Sequence, residues 1–481
     1  MTTASRALSL LALGLWIAVH SASAATPREM LAAVLERRQP NIVLILADDL
    51  GYGDLGCYGQ ARIRTPHIDR LAAEGTRYLQ AYAGSTVCAP SRAVLMTGLH
   101  TGHCRIRGNE QTPLLPADLT IAKVLANAGY QTAVFGKWGL GRPGSTGIPT
   151  QQGFQEWLGY LDQAHAHDYF PTNLHRNEAL FPIPENAGGR RQVYTPDLFA
   201  RVTANYLRTA KYRPFFLFLS STLPHANNEL GAATGNGMQI PSDAPYSSES
   251  WPQAEKNKAA MITRLDADVG RVIDTLKALH MESNTVVFVT SDNGPHSEGG
   301  VKAAFHHSSG TLRGIKRDLY EGGIRVPLIA WWPGHIPAGR TSSELFAFQD
   351  FLPTAADLAG VPVPPGLDGI SFRRDLLGLA QTNRHAVLYW EFHEGGSKQA
   401  VRLGDWKAVR NELGKPIEVY NLASDPGESQ DVAASHPEVV ARAEAEFKSN
   451  RDENPSWPLK PKPAPPTDAP SPHEPAAPQN R

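Results

Sequence analysis

Four short runs rich in β-branched and aromatic residues, each closed by chemically capable side chains, constrain this chain most. They are NIVLILADD (41–49), QTAVFGKW (131–138), FFLFLSSTLPH (215–225) and TVVFVTSDNG (285–294). Each is near-continuously apolar rather than alternating, the pattern of strands buried on both faces of a parallel sheet. Between the last two, residues 258–280 carry Met261, Ile262, Leu265, Val269, Val272, Ile273, Leu276 and Leu279 at helical spacing on one face. Strands alternating with helices predict an α/β fold, with a large, mostly parallel sheet flanked by helices.

Near residues 355–365 the text AADLAGVPVPPG breaks this pattern. Beyond it HAVLYWEF, QAVRLGDWKAVR and PIEVYNLASDPGES read as short strands with tight turns, and 437–448 as an amphipathic helix. They predict a smaller C-terminal α+β domain with an antiparallel sheet. The expected organisation is a signal peptide over 1–24, an N-terminal α/β domain over 25–355, the C-terminal domain over 356–453, and a Pro-rich disordered tail over 454–481.

The 481 residues carry 46 Lys and Arg against 47 Asp and Glu, evenly mixed. That balance argues against a nucleic-acid groove or a polybasic membrane patch. The opening residues read as a secretory signal: Arg6, an apolar run over 7–19, and the small residues Ala22-Ser23-Ala24. An uncleaved anchor is the alternative, but the run is shorter than the roughly 20 residues a spanning helix needs. No later stretch is suited to crossing a bilayer. The expectation is an exported protein of a periplasm or the cell exterior, not an integral membrane protein. Cys57, Cys88 and Cys104 are an odd number for such a chain. If two pair, the third is a reactive or modified thiol.

The four runs end in Asp48-Asp49, Lys137, His225 and Asp292-Asn293. Ligands of open α/β sheets bind beyond the carboxyl ends of the strands. Any one of these endings is an ordinary turn residue, whereas four on one edge build a site. Asp48, Asp49, Asp292 and Asn293 are hard oxygen donors, and three carboxylates together repel. A divalent cation is therefore expected among them, Ca2+ for its tolerance of several oxygens at flexible angles, with Mg2+ as the alternative. Arg92, Lys137 and Lys316 add positive charge, a balance suited to an anionic ester.

Cys88-Ala89-Pro90-Ser91-Arg92, closed by Thr97-Gly98, resembles the modification signature of the type I sulfatases, members of the alkaline-phosphatase-like superfamily. ADD (47–49), GKW (136–138), LPH (223–225), SDNG (291–294) and LRGIKRDLYEGGIRVP (312–327) resemble that family's other segments, in family order. NLASDPGES (421–429) resembles its C-terminal segment. The resemblance implies that a modification enzyme oxidises Cys88 to formylglycine during passage through the export machinery. A thiolate attacking a sulfate ester would end in a stable adduct, whereas an aldehyde hydrate offers one hydroxyl to attack and another to expel sulfate.

The resemblance also implies roles. Asp48, Asp49, Asp292 and Asn293, with an oxygen of residue 88, would bind Ca2+. Arg92 would orient the hydrate, Lys137 and Lys316 would hold sulfate oxygens, and His225 with Lys316 would protonate the leaving oxygen. The implied substrate is an organic sulfate ester, carbohydrate or aryl. One position departs from the family, which often reads G-K-W-H-L-G: here Gly139 replaces the histidine assigned to deprotonating the second hydroxyl. His165, His167, His306 and His307 are candidates to replace it or to line the substrate pocket. With Cys88 consumed, Cys57 and Cys104 are left as a candidate disulfide or as two buried thiols. Two further functions fit the same residues: a phosphodiester or phosphonate monoester hydrolase, and a sulfated-glycan-binding protein that has lost turnover.

Overall fold

The four runs fold as four adjacent parallel strands. The computed structural model describes residues 39–463 apart from Gln111. Its main sheet comprises β1 (Asn41–Ala47), β2 (Thr76–Tyr82), β3 (Gln131–Lys137), β4 (Glu156–Tyr160), β5 (Asn173–Arg176), β6 (Ala179–Pro182), β7 (Phe215–Ser220), β8 (Thr285–Ser291), β9 (Arg325–Trp331), β10 (Arg340–Ser342) and β11 (Phe346–Ala347). The order is β10-β2-β9-β8-β1-β7-β3-β4-β5-β6, with β11 also beside β2. From β8 to β4 every pairing is parallel. The β8–β9, β9–β2, β4–β5 and β5–β6 pairs are antiparallel.

Register sets where the chemistry gathers. Ala47 pairs with Ser291, Leu46 and Gly136 both pair with Ser220, and Lys137 pairs with Tyr160. The carboxyl ends of the central strands are thus level, and the residues that follow them emerge side by side.

Alternate residues of β1 feed two cores on opposite faces. Val43, Ile45 and Ala47 pack with the helices Pro66–Glu74, Thr195–Ala210 and Gln253–Ala278. Ile42, Leu44 and Leu46 pack with Cys88–Thr97, Ile121–Asn127 and Phe351–Leu358. Both faces being covered accounts for the near-continuous apolar strands. The Gln253–Ala278 helix buries the stripe from Met261 to Leu276, as its spacing predicts.

Four more strands, β12 (Leu388–Phe392), β13 (Lys398–Leu403), β14 (Trp406–Arg410) and β15 (Glu418–Asn421), form an antiparallel sheet. The Pro437–Ser449 helix covers one face through Val439, Ala443 and Phe447. The other face, with Trp390, Phe392 and Ala400, packs on Tyr82, Val87 and Ile324 of the main sheet's side.

The expected boundary at 355 falls inside the Phe351–Leu358 helix. Phe372 and Leu376, beyond the turn-rich text that ends this helix, return to the same core. The tail also begins later than 454. Trp457 is buried, its carbonyl accepts from Arg451 Nη2 at 2.8 Å, and Ser397 N–H donates to the Lys460 carbonyl at 2.8 Å. Residues 464–481 and the expected signal over 1–24 lie outside the described residues. Among the described residues no helix is long and apolar enough to cross a membrane.

Candidate active site

Asp48 and Asp49 leave β1 as Asp292 and Asn293 leave β8, and the two turns bind each other. Asp49 N–H donates to Asp292 Oδ1 at 3.1 Å, and Leu50 N–H to Ser291 Oγ at 2.9 Å. Asp49 has φ of 67°, a left-handed backbone that a short polar side chain tolerates. Asn293 Nδ2 donates to Asp49 Oδ1 at 2.7 Å and to the Gly294 carbonyl at 2.9 Å. Its own Oδ1 is buried without a protein partner.

Cys88 is the first residue of the ten-residue helix Cys88–Thr97, all of it buried. Val87 before it is extended, and Gly98 after it closes the last turn with φ of 72°, its N–H donating to the Val94 carbonyl. The spacing of four puts Arg92 on the same face as Cys88. Cys88 Sγ lies 3.3 Å from Asp48 Oδ1. Arg92 donates to Asp292 Oδ2 from Nε (3.0 Å) and Nη2 (2.8 Å), and to Ser220 Oγ (2.5 Å) and the Lys137 carbonyl (3.0 Å) from Nη1.

The lysines complete the cluster. Lys137 Nζ is 2.7 Å from Asp48 Oδ2, and Lys316 Nζ is 2.9 Å from Asp49 Oδ2. Lys316 Nζ also stands 3.1 Å from His225 Nε2. His225 Nδ1 is 2.7 Å from the Ala226 carbonyl, which can only accept, so Nδ1 carries the ring proton and Nε2 accepts from Lys316. Burial, reinforced by the Lys316 ammonium, pulls His225 down to about 3, and the ring is neutral. Burial and the Asp48 carboxylate push the Cys88 thiol well up. Protonated and buried, it is a poor nucleophile.

The repulsion expected among three carboxylates is met partly within the protein. Burial alone would raise the Asp48 and Asp49 carboxyls, but Lys137 at Asp48 and Lys316 at Asp49 hold both down. Asp292 is pushed up to about 7 by burial and by Asp48, against the pull of Arg92. A hard cation fits what remains. Asp48, Asp49, Cys88 and His225 bring ligating atoms within 4.8 Å of one another, and Asp292 and Asn293 join through Asp49. The orphaned Asn293 Oδ1 is a buried acceptor whose desolvation a cation would offset. The thiol is the one soft donor beside the carboxylates, so an oxygen at residue 88 would suit Ca2+ better.

The histidines separate. His167 stacks on His225 with ring centroids 4.9 Å apart and pairs with Glu229 at 3.0 Å. His165 instead stands edge-on to Tyr160 at 5.1 Å. His306 is buried against Trp251 and Phe305, with Nε2 3.1 Å from the Glu255 carbonyl, and none of these partners belongs to the cluster. His307 lies on the surface with φ of 54°.

All three cysteines are free thiols, so Cys57 and Cys104 do not form the candidate disulfide. Cys57 packs on one core and Cys104 within the other, on opposite faces of the sheet. Burial pushes Cys57 up to about 12, helped by Asp69, and Cys104 up to about 11.

Three site residues carry no motif. Ser220 ends β7 and bonds both Arg92 and the Lys137 carbonyl, its only sequence signal being the first hydroxyl after an apolar run. Glu298 lies 3.4 Å from Lys316 Nζ. Gln163 fills the space beside Gly139, where a Cβ would stand 2.2 Å from its Nε2.

Residues 40–361 match the family model described as Sulfatase, and 315–453 match N-sulphoglucosamine sulphohydrolase, C-terminal. Arylsulfatase A of Homo sapiens is 34% identical, covering 86% of this chain and 89% of its own. N-acetylgalactosamine-6-O-sulfatase of Bacteroides thetaiotaomicron is 29% identical, with 84% and 91% covered. The crystal structure of Ps i-CgsB in complex with k-i-k-neocarrahexaose superposes with a TM-score of 0.76 at 28% identity, over 88% of this chain and 95% of that one.

Proposed function

Because the chain belongs to the sulfatase family and is a sulfuric ester hydrolase, we propose that it releases inorganic sulfate from a sulfated carbohydrate, using formylglycine made from Cys88 and a bound Ca2+. The observation that carries this reading is the setting of Cys88. It is a protonated, buried thiol 3.3 Å from Asp48, ringed by Arg92, Lys137, Lys316 and His225. Such a thiol has little use as a nucleophile, and its surroundings suit oxygen chemistry on an anionic ester.

A hydrated aldehyde at residue 88 would supply two hydroxyls on one carbon, and Ca2+, held by Asp48, Asp49, Asp292 and Asn293, would supply charge to polarise oxygen there. The chain's own residues do the rest. Arg92, tied to Asp292, Ser220 and the Lys137 carbonyl, is fixed in one orientation beside residue 88. Lys137 and Lys316 place ammonium groups to receive sulfate oxygens. At the leaving-group end the proton rests on Lys316, because the His225 ring is neutral and accepts from it. An alcohol oxygen arriving between Lys316 Nζ and His225 Nε2 takes its proton there.

A carbohydrate ester is supported by two of the names, the N-acetylgalactosamine-6-O-sulfatase and the structure in complex with k-i-k-neocarrahexaose. Export to the periplasm or exterior is part of the same proposal and rests on the composition of residues 1–24. The test is sulfate release, read by ion chromatography, from sulfated mono- and disaccharides by protein made with the modification enzyme. Release from at least one sugar ester is expected. A preference for matched nitrophenyl phosphodiesters or phosphonates over the sulfate would overturn it.

A further inference from the structure

The mouth of the cluster is acidic, although the reactive centre is built for an anion. A continuous line of contacts runs outward on the leaving-group side. Glu229 pairs with His167, His167 stacks on His225, and His225 meets Lys316. Lys316 Nζ then reaches Glu298 at 3.4 Å, Glu298 pairs with Arg317, and Arg317 Nε lies 2.7 Å from Glu394. Exposure rises along both arms, from 3% at the His225 and Lys316 side chains to 67% at Glu229 and 37% at Glu394. Beyond Glu394, Lys398 and Asp318 offset each other at 3.9 Å. The rim therefore holds Glu229, Glu298, Glu394 and Asp318 against Arg317 and Lys398, an excess of negative charge. Glu298 stays ionised: burial would raise its carboxyl, but Lys316 holds it at about 2.

These carboxylates lie on the side of Lys316 and His225, where the proposed reaction protonates the leaving alcohol. We propose that the rim selects esters whose alcohol carries no second negative charge, namely a monosulfated, otherwise neutral, hydroxyl-bearing sugar. The sulfate itself meets Arg92, Lys137 and Lys316, so one anionic group is favoured inside. A second sulfate or a carboxylate on the ring faces Glu298 and Glu229, while ring hydroxyls can donate to the same oxygens. The inference rests on the sulfatase reading above.

The test compares kcat/KM of the modified full-length enzyme on 4-nitrophenyl sulfate and on an analogue bearing a ring carboxylate, matched in phenol acidity. A parallel arm measures inhibition by mono- and disulfated galactose. The wild type is expected to prefer the neutral ester, and the monosulfated inhibitor, by about tenfold, the scale of one like-charge contact at roughly 6 Å with partial solvent screening. Glu298→Gln should narrow the ratio to about threefold or less. Glu229→Gln, at a largely exposed position that leaves folding intact, should narrow it partway. Equal rates on both esters in the wild type, or a ratio unmoved in both variants, would overturn the acidic rim alone. Failure to hydrolyse either ester or any sulfated sugar would instead sink the sulfatase reading.

Discussion

Gln163 Nε2 occupies the space that a side chain at Gly139 would enter, 2.2 Å from where its Cβ would stand. The amide nitrogen is buried and without a hydrogen-bond partner, and Gly139 has φ of 78°. Position 139 therefore disfavours a side chain through its backbone, and the flexible end of Gln163 has to move aside to admit one. Gly139→Ala is expected to cost about 1–2 kcal/mol, of which about 1 is left-handed strain. Adding Gln163→Ala should recover the remainder, seen as a favourable coupling in a double-mutant cycle by urea unfolding. Additive losses would show that the two side chains do not compete.

Arg92 makes four donor contacts that a lysine cannot reproduce. Arg92→Lys should lower kcat/KM on a sulfate ester by about 100-fold or more and destabilise the fold by about 2–4 kcal/mol, because Asp292 loses its forked partner in the interior. Steady-state kinetics and denaturant unfolding on the same preparation check both figures.

Calcium should stabilise this protein through Asn293. Its buried Oδ1 has no protein partner, so the loaded state gains where the free state carries an orphan. Chelation should lower the melting temperature, and calcium at about 100 times its Kd should raise stability by about 2.7 kcal/mol. In Asn293→Ala the calcium response should shrink severalfold at the same free calcium. Differential scanning calorimetry reads both.

Asp268, on the Gln253–Ala278 helix, gives a pH dependence away from the site. Burial pushes its carboxyl from 3.8 up to about 8, with Arg271 Nη2 only partly opposing at 3.8 Å. A folded-state pKa above the unfolded one means the folded chain holds a proton that the unfolded chain releases. The contribution is complete below about pH 4 and is lost as pH rises toward 8, at a slope of up to about 1.4 kcal/mol per unit. Asp268→Asn should flatten stability between pH 5 and 8 and raise it most at pH 8. Parallel curves for both proteins would contradict this.

The central strands were legible because β1, β3, β7 and β8 are covered on both faces and so read as unbroken apolar runs. Antiparallel β2 was not, since Arg77 and Gln80 interrupt it where it is half covered. Near 355, Gly360 and the prolines end the Phe351–Leu358 helix, whose core continues through Phe372. At the site, residues that follow strand ends announced themselves, and register did the gathering. His167 and His306 looked equivalent in sequence, and only the fold brings one to His225 and the other to Glu255. Gln163 and Glu298 act through tertiary contacts that leave no local pattern, and Ser220 leaves only a hydroxyl at the end of an apolar run.

The most direct measurement is the mass of the peptide spanning residue 88, taken from protein made with the modification enzyme and assayed for sulfate release on the same sample. The account predicts a residue in which sulfur and two hydrogens of cysteine are replaced by one oxygen, with release scaling with the converted fraction. Full sulfate release by protein whose Cys88 remains an unmodified thiol would contradict it.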